Sequence, residues 1–291
     1  MRLVSFFFCT VSILFILADF TVAEPRPAVS FSSKVIPQGG TIIIKIRAGK
    51  GVETPEVIWM DNEISLIPSE DGNLLQGFLS ADLQEKTGRY KVLVRTSPFI
   101  KETAYDIEVA TKDYGVRRLS LPEKMVDLDE ETLKRVRKES DSMNRLWKAP
   151  SSSPAWQGSF VRPVPGETVG PFGRKSIIND QPRSPHTGVD MRGSKGTPIK
   201  AVNNGTVVLT GNHFFTGHTV VLDHGGSVMS MYFHCDRLLV NEGDEVAKGQ
   251  VIASVGSTGR ATGPHLHFGM RVNGSRVDPL RLIELSKELE E

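Results

Sequence analysis

Between Val29 and Thr111 the apolar residues arrive in short bursts: "GGTIIIKIRAG", "PEVIWMDN", "LLQGFLSADL", "GRYKVLVRTS" and "TAYDIEVAT". Each burst is rich in β-branched or aromatic residues and is bounded by Gly, Pro, Asp or Asn, which predicts strands joined by turns. Their spacing predicts a small β-sandwich. The pattern changes in "LDEETLKRVRKESDSMNRLWK", where Leu133, Val136, Met143 and Trp147 fall close to a helical stripe on a charged background. Asp129, followed by acidic residues, predicts the start of that helix. Behind it, "APSSSPAWQG" reads as a linker. From Phe160 onward short strands return in "PIKAVNNGTVVLTG", "HTVVLDHGG", "SVMSMYFH", "DEVAKGQVIASVGS" and "HLHFGMRVNG". Turns at short intervals predict a mostly antiparallel sheet. Alternation along a strand puts His265 and His267 on one face and Leu266 and Phe268 on the other. The same alternation pairs Tyr232 with His234 and opposes them to Met231, Phe233 and Cys235.

The expected fold class is all-β: an N-terminal β-sandwich, a short helical linker and a C-terminal, mostly antiparallel β-sheet domain. The expected boundaries are 1–23 for a signal peptide, 24–112 for the sandwich, 113–159 for the linker, 160–283 for the C-terminal domain and 284–291 for a tail. "KTGRYKVLV" resembles the penultimate strand of immunoglobulin-like domains, which implies that the Tyr90 hydroxyl caps a corner by bonding to the backbone. The first residues, "MRLVSFFFCTVSILFILADFTVA", combine Arg2, an apolar run and small residues at Thr21 and Ala23. That layout predicts a secretory signal cleaved after Ala23. Asp19 ends the run short of the roughly 20 apolar residues that a membrane span needs, and no other long apolar run follows. The mature chain is therefore expected to carry no transmembrane span. Of two cysteines, Cys9 leaves with the signal and Cys235 stays, which excludes an internal disulfide. A net charge of +1, with no basic run or aromatic-interleaved patch, gives no reason to expect a nucleic-acid partner.

All seven histidines lie in the C-terminal part. "HTGVD" sets His186 four residues before Asp190, and Gly188 with Val189 favours a turn leading into a strand over a helix. With His234, His265 and His267 the part holds four histidines and one aspartate in local patterns of this kind. Zinc takes imidazole and carboxylate donors, and a catalytic site uses three protein ligands with one position open for water. Two groups would then remain for proton transfer and charge stabilisation, which is the inventory amide hydrolysis needs. Spacing alone leaves open which three bind. His224 is expected to support a turn. His213 and His218, both expected to be structural, flank "FFTG", a hairpin expected at the groove edge where Phe214 or Phe215 contacts substrate. For Arg260 a solvent-facing side chain is the default and a carboxylate on an acidic peptide the alternative partner, and Tyr232 completes the candidate substrate-binding set.

Read together, "HTGVD", "GTPIKAVNNGTVV", "MYFHCD" and "GDEVAKGQVIASVGSTGRATGPHLHFGM" resemble the lysostaphin-type (LytM-like) zinc metalloendopeptidases over about residues 172–279. The resemblance implies one zinc ion held by His186, Asp190 and His267, with His234 and His265 as the catalytic histidines beside it. It implies peptide stems and cross-bridges of bacterial peptidoglycan as the partner, and an exported protein, either of the periplasm or cell envelope or secreted. Two alternatives share the fold: a non-hydrolytic regulator of cell-wall amidases, and a secreted bacteriolytic or elastin-type protease. The ligand set is complete here, which weighs against the regulator. Cys235 stands where the family usually has leucine and is expected to act as a small buried hydrophobe. "GDEVAKGQVIASVGS" is also similar to the turn of biotinyl and lipoyl carrier domains, but no "MKM" lysine turn accompanies it.

Overall fold

The computed structural model describes residues 28–47, 54–69, 71–95, 102–120, 123, 126–148 and 153–289. The expected signal peptide with Cys9, residues 149–152 of the linker and the last two residues of the tail lie outside the described residues.

The N-terminal part contains β1 (Ala28–Phe31), β2 (Val35–Pro37), β3 (Thr41–Arg47), β4 (Glu56–Trp59), β5 (Asn62–Glu63), β6 (Ile67–Pro68), β7 (Leu74–Ser80), β8 (Gly88–Arg95) and β9 (Thr103–Ala110). They form two sheets, in the orders β1-β3-β7-β6 and β2-β9-β8-β4-β5. Ile42, Ile44 and Ile46 alternate along β3 and bury against Val57, Trp59, Val92 and Ile107 of the second sheet, so one core is shared by both sheets. The intervening Ile43 points the other way and joins Phe78 and Leu83 in the core of the C-terminal half. This explains why "TIIIKIR" is apolar on both faces. Across the same boundary Phe78 stacks on Trp156 at 5.2 Å, and Arg276 Nε donates to Asp82 Oδ2 at 2.9 Å. The Tyr90 hydroxyl donates to the Lys86 carbonyl at 2.7 Å, the backbone contact expected of it.

Between the halves run β10 (Val116–Leu119) and helix α1 (Glu130–Leu146). Asp129 caps the helix by accepting from the Thr132 N–H at 2.7 Å. No residue of α1 is buried, yet Met143, Leu146 and Trp147 pack against Val221, Met231 and Phe233 of the C-terminal sheet. The linker helix is thus laid on one face of the sheet.

The C-terminal half holds β11 (Thr168–Gly170), β12 (Lys175–Ile178), β13 (Gln181–Arg183), β14 (Val189–Arg192), β15 (Pro198–Lys200), β16 (Gly205–His213), β17 (Gly217–Asp223), β18 (Val228–Leu238), β19 (Glu245–Val246), β20 (Val251–Val255), β21 (His265–Val272) and β22 (Ser275–Val277). The main path of its large sheet is β11-β14-β21-β18-β17-β16-β19. Neighbouring strands along this path all pair antiparallel. A small sheet in the order β10-β12-β13 stands beside it. Helix α2 (Pro279–Leu285) follows β22 and buries Leu282 and Ile283.

Beneath the sheet His224 is fully buried. Its Nδ1 donates to the Asn204 carbonyl at 2.6 Å, and its Nε2 bonds Ser230 Oγ at 2.8 Å. Ser230 continues to the Tyr232 hydroxyl, which accepts from the Val202 N–H at 3.0 Å. Burial pushes the His224 imidazole down to about 4. The folded state therefore holds it neutral while the unfolded chain takes up a proton below about 6.5. Stability is intact above that pH and is expected to fall by about 3 kcal/mol as pH drops from about 6.5 to 4. Denaturant midpoints across this window check it, because His224→Gln should flatten that part of the profile.

Candidate metal centre

Strands β14 and β21 are antiparallel neighbours whose register sets Asp190 opposite His267 and Arg192 opposite His265. As the alternation predicts, Leu266 and Phe268 point into the core, both 0% exposed. His265 and His267 share the opposite face. On the other side of β21, Phe233 of β18 lies opposite His267, and the two rings stack at 5.3 Å and 4°.

His186 sits in the turn before β14. Its Nδ1 donates to the Pro171 carbonyl at 2.9 Å. A carbonyl can only accept, so Nδ1 carries the proton and Nε2 keeps its lone pair. That lone pair lies 3.0 Å from Asp190 Oδ1 and 3.0 Å from His267 Nδ1. His267 Nδ1 is 2.9 Å from the same Asp190 oxygen. One proton on His267 Nδ1 is all that the neutral cluster offers to three converging acceptors. A cation supplies what such a cluster lacks, and imidazole–carboxylate–imidazole is a donor set that suits zinc. Among the described residues these three form the group able to hold a metal, with donor atoms within 4.8 Å of one another. Burial pushes the Asp190 carboxyl up, but the hydrogen bonds and charge that the His186 and His267 imidazoles supply when protonated outweigh this and hold it far below the usual carboxylate range.

Two glycines make room for the cluster. A Cβ at Gly188 would stand 2.6 Å from His267 Nε2, and one at Gly170, which faces Asp190 across the β11–β14 ladder, would overlap Asp190 Oδ2. Gly170→Ala is therefore expected to displace the carboxylate and weaken metal binding by at least about 10-fold. Competition with a chromogenic chelator measures it.

His234 reaches this face by an irregular route. Between the pairs Val220–Tyr232 and His218–Cys235, β17 has one residue and β18 has two. The extra residue is a β-bulge, and His234 adopts a left-handed φ of 62° there. The bulge reverses the expected alternation. Phe233 and His234 both lie on the metal-centre side, while Tyr232 and Cys235 point into the core, each 0% exposed. Tyr232 is therefore corrected from a substrate contact to a member of the buried network. Burial pushes the Cys235 thiol up to about 12, as befits the small buried hydrophobe expected.

The two flanking histidines are held alike. His234 Nδ1 donates to the Thr258 carbonyl at 2.8 Å, and His265 Nδ1 donates to the Gly263 carbonyl at 2.8 Å. Each leaves Nε2 without its proton, and His265 Nε2 lies 3.7 Å from Asp190 Oδ1. Burial, together with the charges of His267 and His265, pushes His234 down to about 3.

Phe214 and Phe215 occupy the tip of the β16–β17 hairpin with rings 5.0 Å apart. The Phe214 N–H donates to Glu139 of α1 at 2.9 Å, and the Arg260 guanidinium lies 4.0 Å over the Phe215 ring. His218 Nδ1 bonds the Asp236 carbonyl, in keeping with a structural role. Sequence reasoning missed Arg117, whose Nη1 stands 3.6 Å from Asp190 Oδ2. It also missed Thr258 as the anchor of His234. Neither residue carries a local pattern that could have pointed to it.

Residues 184–279 match the model of peptidase family M23. The chain is 42% identical over 98 residues to the peptidoglycan DD-endopeptidase ShyA of Vibrio cholerae, covering 34% of this chain and 23% of that protein. It is 39% identical over 104 residues to the DD-carboxypeptidase/endopeptidase Mpg of Neisseria meningitidis, covering 36% and 24%. The chain thus spans about a quarter of the length of these relatives. A crystal structure described as a peptidase M23 from Pseudomonas aeruginosa superposes with a TM-score of 0.66 at 29% identity, covering 84% of this chain and 93% of that one. That coverage extends well beyond residues 184–279, so the N-terminal sheets take part in the similarity.

Proposed function

Because residues 184–279 are a domain of peptidase family M23, we propose that the chain is a zinc-dependent endopeptidase that hydrolyses peptide cross-links of bacterial peptidoglycan. The observation that carries this reading is the convergence of three acceptor atoms from His186, Asp190 and His267. These residues would hold one zinc ion. When bound, zinc supplies Lewis acidity for activating water and polarising a carbonyl.

The chain's own residues supply proton transfer. With their Nδ1 protons tied to backbone carbonyls, neutral His234 and His265 present Nε2 to the reacting groups as proton acceptors. As water adds to the scissile carbonyl carbon, one of these nitrogens takes the water's proton. The imidazolium so formed gives that proton to the amide nitrogen as the carbon–nitrogen bond breaks. Phe214, Phe215 and Arg260 form a wall for the peptide. Asp190 Oδ1 faces the two metal-binding imidazoles and stays ionised through their contacts.

The name of the ShyA relative, a peptidoglycan DD-endopeptidase, supports peptidoglycan as the substrate and, with it, a site of action outside the cytoplasmic membrane. We read the two N-terminal sheets as an immunoglobulin-like sandwich over 24–112 and residues 160–283 as the catalytic domain, with the β10–α1 segment between them.

The test is digestion of purified sacculi followed by mass analysis of the muropeptides. Cross-linked dimers should decline and monomers rise with the glycan intact, and a chelator should stop the conversion until zinc is returned. Binding to sacculi with no loss of dimers would instead favour a non-hydrolytic regulator.

A further inference from the structure

Arg117 belongs to the four-residue strand β10, in the segment between the two halves and outside the matched residues 184–279. The strand pairs parallel with β12 in a register that sets Arg117 beside Ser176. Alternation turns Val116 and Arg118 outward and Arg117 inward. Arg117 Nε donates to the buried Ser176 Oγ at 2.9 Å. Its Nη1 reaches to 3.6 Å from Asp190 Oδ2, an ion pair longer than a hydrogen bond, with both side chains a quarter exposed or less.

The two oxygens of Asp190 therefore have different surroundings. Oδ1 faces the nitrogens of His186 and His267. Oδ2 is enclosed by Arg117 and by the bare Cα of Gly170. We propose that Arg117 is a positioning residue: a strand from outside the peptidase domain fixes the outer oxygen of Asp190, so that the carboxylate presents Oδ1 to the metal. The proposal rests on the reading of His186, Asp190 and His267 as metal ligands. A planar guanidinium held at one end by Ser176 can orient a carboxylate, whereas an ammonium on a flexible stem cannot make both contacts. Groups that orient a metal ligand typically contribute about 10- to 100-fold in metal affinity.

Arg118, on the same strand, is a natural control. Its pair with Asp180 at 3.8 Å is exposed, with side-chain accessibilities of 73% and 98%, and contributes little. Zinc affinity of the full chain, read by chelator competition, is expected to fall about 10- to 100-fold in Arg117→Met and nearly as far in Arg117→Lys. Arg118→Met should leave it unchanged. Free guanidinium at millimolar concentration should restore part of the affinity of Arg117→Ala, which a purely structural loss would not permit. The melting temperature of the metal-free protein monitors folding. If Arg117→Met does not fold, Ser176→Ala, which removes only the supporting contact, is expected to weaken zinc binding several-fold. Affinity that is unchanged or higher in the folded variant overturns the proposal. A wild-type chain that takes up no zinc overturns the metal reading itself, a distinct result.

Discussion

Replacing His267 by alanine is expected to remove the bound metal and lower peptide hydrolysis by at least about 1,000-fold. The reasoning begins with the donor set. Among the described residues, His267 Nδ1 is one of three donor atoms that converge on the cluster, and two remaining ligands rarely retain a catalytic zinc. Losing the metal forfeits both water activation and carbonyl polarisation, more than the roughly 100- to 1,000-fold that a single oxyanion donor contributes. The substitution also leaves Phe233 without its stacking partner and removes one of the imidazoles that keep Asp190 ionised. Hydrolysis of cross-linked muropeptides and zinc content per chain, measured on the same preparation, test it. His234→Ala is the informative companion, expected to keep its zinc while losing about 100- to 10,000-fold in rate. Equal rates in wild type and His267→Ala would rule out the assigned ligand role.

The largest expected loss of stability among single changes behind the site is that of Phe268→Ala, about 3–5 kcal/mol. Phe268 is fully buried, pairs with Val189 on one side and Tyr232 on the other, and lies 5.5 Å from the Tyr232 ring. It therefore holds the histidine strand from beneath at the point where three strands meet. Deleting the ring opens a cavity that neighbours on a fixed ladder fill only in part. Denaturant midpoints measure the loss, and zinc affinity should decline with it because His267 and Asp190 ride on the same two strands. A change below about 1 kcal/mol would mean that the strand is held by its ladder rather than by this core.

Much of this arrangement is legible in the sequence because β21 is a regular strand. "HLHF" has period-2 alternation, and the observed faces follow it. The Asp129 cap and the Met143–Trp147 end of the stripe likewise foretell α1, and Tyr90 makes its expected backbone contact. His234 is different. Its direction depends on a bulge fixed by how β17 pairs with β18, a non-local feature, so alternation misplaced Tyr232 and Phe233 relative to His234, while Cys235 stays opposite it as expected. Left-handed φ at a non-glycine residue is uncommon and carries no local signature in "MYFHCD". Arg117 was hidden for a related reason. A parallel pairing between segments about 60 residues apart brings it to Asp190, and nothing in "VRRL" announces a partner. The stripe of α1 leaves open a connector or a cover over the neighbouring groove, and tertiary packing of Met143, Leu146 and Trp147 on Val221, Met231 and Phe233 decides where the helix lies.

The central claim, that His186, Asp190 and His267 hold one zinc ion, is tested most directly by X-ray absorption at the zinc edge on the purified full chain. The expected result is one zinc per chain bound by nitrogen and oxygen donors alone, and absent from Asp190→Ala. A sulfur donor, which would implicate Cys235, or zinc retained in full by Asp190→Ala, would contradict it.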